Sequence, residues 1–149
     1  MPFVAASLLL STASLPGGFN KKGDNTNINF ITSSAKKISS AVAEKYNCWQ
    51  LEKQGISIEL FSFAMKGYEY LSSINKIANK STLTIIDFSK PSSEKRLFVI
   101  DTETGDVLFK TLVAHGRNSG KEIANNFSNA ASSFASSLGF YTTAGVYKG

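Results

Sequence analysis

The spacing of apolar residues changes twice along this chain. Residues 3–15, "FVAASLLLSTASL", are almost continuously apolar or small. Residues 16–34, "PGGFNKKGDNTNINFITSS", are rich in Gly, Asn, Ser and Lys and show no period, which predicts a linker. Over 35–51, "AKKISSAVAEKYNCWQL", the positions Ala35, Ile38, Val42, Tyr46 and Trp49 recur three or four apart. That spacing predicts a helix, stopped by Gly55. Cys48, beside Trp49, reads there as a small buried thiol. Ser57 then suits an N-cap, with Glu59 in the first turn of a second helix. Its stripe runs Leu60, Phe61, Ala64, Tyr68, Leu71 and on to Ile74 or Ala78. An interior Gly67 costs about 1 kcal/mol relative to alanine, so a packing reason is expected for it.

From Ser81 the residues turn β-branched and aromatic. "TLTIIDF" (82–88), "RLFVIDT" (96–102) and "DVLFKTLVA" (106–114) predict three antiparallel strands. "KPSSEK" and "TETGD" are the connections, with Gly105 suited to positive φ. "LFVI" lacks alternation, which predicts burial on both faces. A polar passage of little periodicity, 115–137, follows, and loops of that length are usually functional or disordered. A last strand is predicted over 138–147. The fold class expected is α+β.

The chain has 149 residues, enough for one domain with a core. Its formal net charge of +5 favours anionic surroundings, but no basic run exceeds two lysines. No RNA-binding aromatic signature or zinc-finger spacing is present, so neither nucleic acid nor metal is expected as a partner, and no cofactor. With one cysteine, an intrachain disulfide is impossible and a thiolate metal site lacks ligands. The first 15 residues have the length of an export signal, end in small residues and are too short to span a bilayer. They lack a basic start, and the competing reading is an apolar tail.

The candidate chemistry centres on "TLVAHGRNSG" (111–120), which holds the only histidine, His115. A thiolate–imidazole pair with Cys48 would need a cysteine activated by its surroundings, and nothing near Cys48 does this. His115 alone reads either as a histidine closing a strand or as the wall of a site. "GRNSG" reads as a glycine-shaped turn or as an anion nest, and it lacks the ending of a P-loop. Asp101, Glu103 and Asp106 fall at a turn, and Asp87 at a strand end. None forms the facing pair that acid–base catalysis needs.

"TLTIIDFSKPSSEKRLFVIDTETGDVLFKTLVAHGRNSG", then "FSN" (127–129) and "SSLGFYTT" (136–143), resembles the murein L,D-transpeptidase catalytic domain family, of YkuD-type fold. "LEKQGISIELFSFAMKGYEYL" (51–71) resembles its leader helix. The likeness covers roughly 45–149. It implies a mainly antiparallel, sandwich-like β domain behind N-terminal helices, found in exported Gram-negative proteins. It also implies a cysteine thiolate that attacks a peptide carbonyl of a murein stem, an acyl-enzyme, and an amine that resolves it. The family's catalytic His-Gly and Ser-x-Gly-Cys segments come after the "LGFY" strand and have no counterpart here. No catalytic residue is carried over. His115, Asn118 and Ser119 are expected to support the cleft or its substrate.

These readings divide the chain into an export signal (1–15), a linker (16–34), a helical leader (35–80) and the N-terminal part of an L,D-transpeptidase-like domain (81–149), incomplete at its C-terminus. The partner expected is peptidoglycan, in the periplasm or cell envelope. Chain 1–149 alone is expected to expose sheet edges and an apolar face, and to be unstable. The alternatives are a non-enzymatic wall-binding or accessory domain and an unrelated exported β domain.

Overall fold

The computed structural model describes residues 4–8 and 38–143. Their order is β1 (Val4–Leu8), α1 (Ser40–Cys48), a 3₁₀ turn (Leu51–Gln54), α2 (Ile58–Ser73), β2 (Thr82–Asp87), β3 (Leu97–Asp101), β4 (Val107–Thr111) and β5 (Gly139–Thr142). The class is α+β, as expected. The strands form one mainly antiparallel sheet of order β4-β3-β2-β1-β5.

The predicted cap Ser57 is present, and Ser39 supplies a second that was not predicted. Ser39 Oγ accepts the Val42 N–H at 3.3 Å to open α1, and Ser57 Oγ accepts the Leu60 N–H at 3.2 Å to open α2. Residues 35–37 of the first predicted helix, like the linker 16–34, lie outside the described residues. Val42 and Tyr46, four apart, set the buried face of α1. Cys48 lies two residues past Tyr46, more than half a turn round, and is exposed. The buried-thiol reading of Cys48 is therefore corrected. Helix α2 ends at Ser73, a turn earlier than its stripe suggested. Ile74 is exposed, and Ile77 beyond the helix is buried instead.

The helices cover one face of the sheet. Leu51, Ile56, Leu60, Phe61, Ala64 and Met65 pack with Leu83, Ile85, Phe98 and Ile100 in one cluster. Each large side chain fully buried there stabilises the fold by about 1.5–3 kcal/mol. Gly67 has the packing reason the sequence called for, since a Cβ on it would overlap the ring of Phe140 on β5. Phe140 in turn stacks 4.6 Å from Phe63. Burial on β3 alternates: Phe98 and Ile100 are buried, whereas Leu97 and Val99 are half-buried. Only the helix-facing side of "LFVI" is closed completely, which corrects the expectation of burial on both faces. On β4, an edge strand, Leu108 and Phe109 are exposed.

Two lysines tie the leader helices to the sheet. Lys90 Nζ donates to Gly55 O and Lys110 Nζ to Gln54 O, both at 2.7 Å. These carbonyls end the 3₁₀ turn, where backbone acceptors lack partners and cations are favoured. Both ammonium groups also sit over the ring of Phe98, 5.3 and 5.5 Å from its centre.

Strand β1 was not foreseen. Val4–Leu8 pairs parallel to β2, from Val4 opposite Leu83 to Leu8 opposite Asp87, and antiparallel to β5. The rest of the 1–15 signal reading lies outside the described residues. A removed leader cannot also be a strand of the mature sheet, so these five residues have two mutually exclusive uses.

Candidate functional site

The candidate site is the segment that leaves β4, and its root is an arginine. Arg96 precedes β3 and is completely buried. Its Nε and Nη2 donate to Val113 O at 3.1 and 2.9 Å, and its Nη1 donates to Lys90 O at 2.7 Å. The ring of Phe88 lies 5.1 Å from the guanidinium carbon, and Phe127 packs on Phe88. Burial holds the arginine below its ordinary pKa, with nearby Asp87 opposing that shift.

Arg96 also defines the state of His115. Its Nη2 lies 2.8 Å from His115 Nδ1. Guanidinium nitrogens only donate, so Nδ1 accepts and carries no proton. The ring proton then sits on Nε2, which donates to Gly120 O at 3.2 Å. Both imidazole nitrogens are engaged, and neither meets Cys48. One ring nitrogen thus bonds to backbone and the other to a side chain.

The loop beyond is compact and held by polar bonds. Gly116 N donates to Ser136 Oγ at 2.9 Å, Asn118 N to Phe134 O at 3.1 Å, and Ser119 N to Gly116 O at 2.8 Å. Ser119 is buried, and its hydroxyl accepts the Ser136 N–H at 2.7 Å. Ser119 O takes the N–H groups of Asn125 and Asn126. Asn118 Nδ2 donates to Ser133 O at 2.8 Å, and Asn118 O accepts Asn126 Nδ2 at 3.0 Å. At Gly116 a Cβ would overlap the carbonyl of Phe134, so two loop strands can approach only with glycine there. The N–H groups of Gly116, Asn118 and Ser119 all donate inside the loop, as the turn reading of "GRNSG" requires.

The structure thus brings His115, Asn118 and Ser119 into one loop and employs all three to shape it. Sequence reading missed Arg96 and the closing residues Ser133, Phe134 and Ser136. A lone arginine ahead of an apolar strand was the one available signal.

The carboxylates of Asp87 and Asp101, each the last residue of a strand, bond into the turns that follow. Asp87 Oδ1 accepts the Ser89 N–H at 3.1 Å and the Ser89 hydroxyl, with Lys90 Nζ 4.0 Å from Oδ2. The N–H groups of Thr104 and then Glu103 hold the exposed Asp101 carboxyl below its ordinary pKa. No group of three or more His, Cys, Asp or Glu could hold a metal among the described residues. A shallow hollow lined by Tyr46, Glu52, Gly55, Ile56, Ser57, Ile58 and Glu59 shares no residue with the loop.

The family model of the L,D-transpeptidase catalytic domain matches residues 52–149. The chain belongs to that family. No curated protein and no solved structure matches it. Within the L,D-transpeptidase match lie Arg96, His115, Asn118, Ser119 and the whole of the loop. The sole cysteine, Cys48, lies outside it, so the matched L,D-transpeptidase segment contains no thiol.

Proposed function

We propose that this chain is the scaffold part of an exported murein L,D-transpeptidase that acts on peptidoglycan stem peptides through a cysteine acyl-enzyme. In this reading the nucleophile and its histidine are not among the 149 residues. The observation that carries it is chemical: the matched segment has no cysteine, and its one histidine has both ring nitrogens occupied by Arg96 and Gly120. His115, Asn118 and Ser119 act as positioning residues that hold the loop against the cleft where a stem peptide lies. The site of action is the periplasm or cell envelope.

Incubation with a carbapenem, followed by intact-mass measurement, tests this. No acyl adduct is expected on the chain. A stoichiometric adduct on Cys48 would overturn the assignment, because that thiol lies on α1 outside the family segment.

The non-enzymatic alternative, a wall-binding accessory domain, has its own supporting observation. Among the described residues no buried side-chain polar atom lacks a hydrogen-bond partner. In the loop, the buried Ser119 hydroxyl and the Asn118 side-chain amide are bonded to other loop residues. Co-sedimentation with purified murein across a salt series separates the readings. Tight retention by the 149-residue chain favours the accessory domain, and weak retention favours the scaffold.

A further inference from the structure

In the 115–120 turn the N–H groups of Gly116, Asn118 and Ser119 donate within the loop, and one side-chain donor group is presented. Arg117 is exposed, and its guanidinium carbon lies 3.9 Å from the ring centre of Phe134. No ion pair engages Arg117 among the described residues. Phe134 is itself 56% exposed. It also takes φ +54, a left-handed conformation uncommon for an aromatic residue.

What holds Phe134 there is Asn118. The Asn118 N–H donates to Phe134 O, and its side-chain amide donates to Ser133 O. Arg117 and Asn118 are adjacent, so one turn both presents the guanidinium and positions the ring beneath it. At that distance the ring lies against the guanidinium, and no hydrogen bond engages its N–H groups among the described residues. A planar fork of that kind matches a carboxylate in two parallel hydrogen bonds. A phosphate site would instead recruit backbone N–H groups, and those of Gly116, Asn118 and Ser119 are already used.

We propose that Arg117, stacked on Phe134, is a carboxylate-recognition site that binds a free carboxylate of a peptide ligand. It rests on the murein reading for the identity of that peptide, since stem peptides carry free carboxylates, but not for the chemistry of the site.

The test is a ¹⁵N NMR titration of the full chain, following the Arg117 Nε resonance. The probes are N-acetyl-D-alanine, its C-terminal amide and inorganic phosphate. The acid is expected to shift Arg117 at millimolar concentration, and the amide is not. Arg117→Lys keeps the charge without the fork and is expected to weaken acid binding about fivefold or more. Phe134→Leu is expected to weaken it less, with Trp49 fluorescence confirming that both variants are folded. Equal response to acid and amide, a stronger response to phosphate, or undiminished binding by Arg117→Lys would overturn the proposal. A soluble murein stem peptide with a free C-terminus, titrated beside these probes, keeps the two readings apart. A response at Arg117 to N-acetyl-D-alanine with none to the stem peptide defeats the murein reading alone. Binding of the stem peptide without any response at Arg117 defeats this site alone.

Discussion

The layer between the helices and the sheet and the loop after β4 are neighbours built on opposite principles. In the layer, Phe61, Leu83, Ile85, Phe98 and Ile100 are buried apolar side chains whose contacts are non-directional. In the loop, Arg96, Gly116, Asn118, Ser119 and Ser136 hold one another by hydrogen bonds that work only at one geometry. The layer tolerates some change in shape as long as volume is kept. The loop tolerates almost none, because each lost bond strands a partner. The difference places stability on one side of β3 and positional accuracy at its end.

The sharpest way to break this picture is to remove β1. Deleting residues 1–15 takes out the strand between β2 and β5. The expected outcome is loss of a cooperative melt by circular dichroism. An unchanged melt would return those residues to a removable export signal. Within the layer, Phe61→Ala is expected to cost about 3–5 kcal/mol in urea denaturation, the usual range for emptying a buried aromatic site. At the root of the loop, Arg96→Met keeps much of the volume but leaves Val113 O, Lys90 O and His115 Nδ1 without their donor. It is expected to cost about 2–4 kcal/mol. In hydrogen exchange it should loosen 113–120 well before the helices. Uniform loosening of both regions would show that they form one cooperative unit.

The smallest effect concerns the β3–β4 hairpin. The folded Asp101 pKa is depressed, so its contribution is fully present above the unfolded value of about 3.9 and is lost as pH falls through the lower folded value. Asp101→Asn should flatten the acid limb of a pH series of melting temperatures below about pH 4. It should leave the neutral limb only slightly lower. An acid limb identical to wild type would mean that the turn bonds from Glu103 and Thr104 contribute nothing.

Legibility in the sequence followed the same division. Stripes such as Leu60, Phe61 and Ala64, the cap Ser57, and the strands around "TLTIID" and "LFVID" are local patterns, and each was readable. The ends were less so: nothing in the spacing shows that α2 stops before Ile74. Strand β1 was hidden because a short apolar run reads alike as an export signal or a strand. Its partners, Leu83 and Tyr141, lie far along the chain. The loop was hidden because its order comes from backbone bonds such as Asn118 N to Phe134 O, which leave no periodicity behind. The family motifs located His115, Asn118 and Ser119 in one place. They did not show that all three are occupied with the loop itself.

His115 carries a practical consequence. The lone pair on Nδ1 is engaged by a buried guanidinium, and the proton on Nε2 by a carbonyl. An acylating reagent such as diethyl pyrocarbonate needs an available imidazole lone pair, so the only histidine of this chain should resist it while the loop is closed. Its modification rate then becomes a clock for loop opening, read from a single site with no label added.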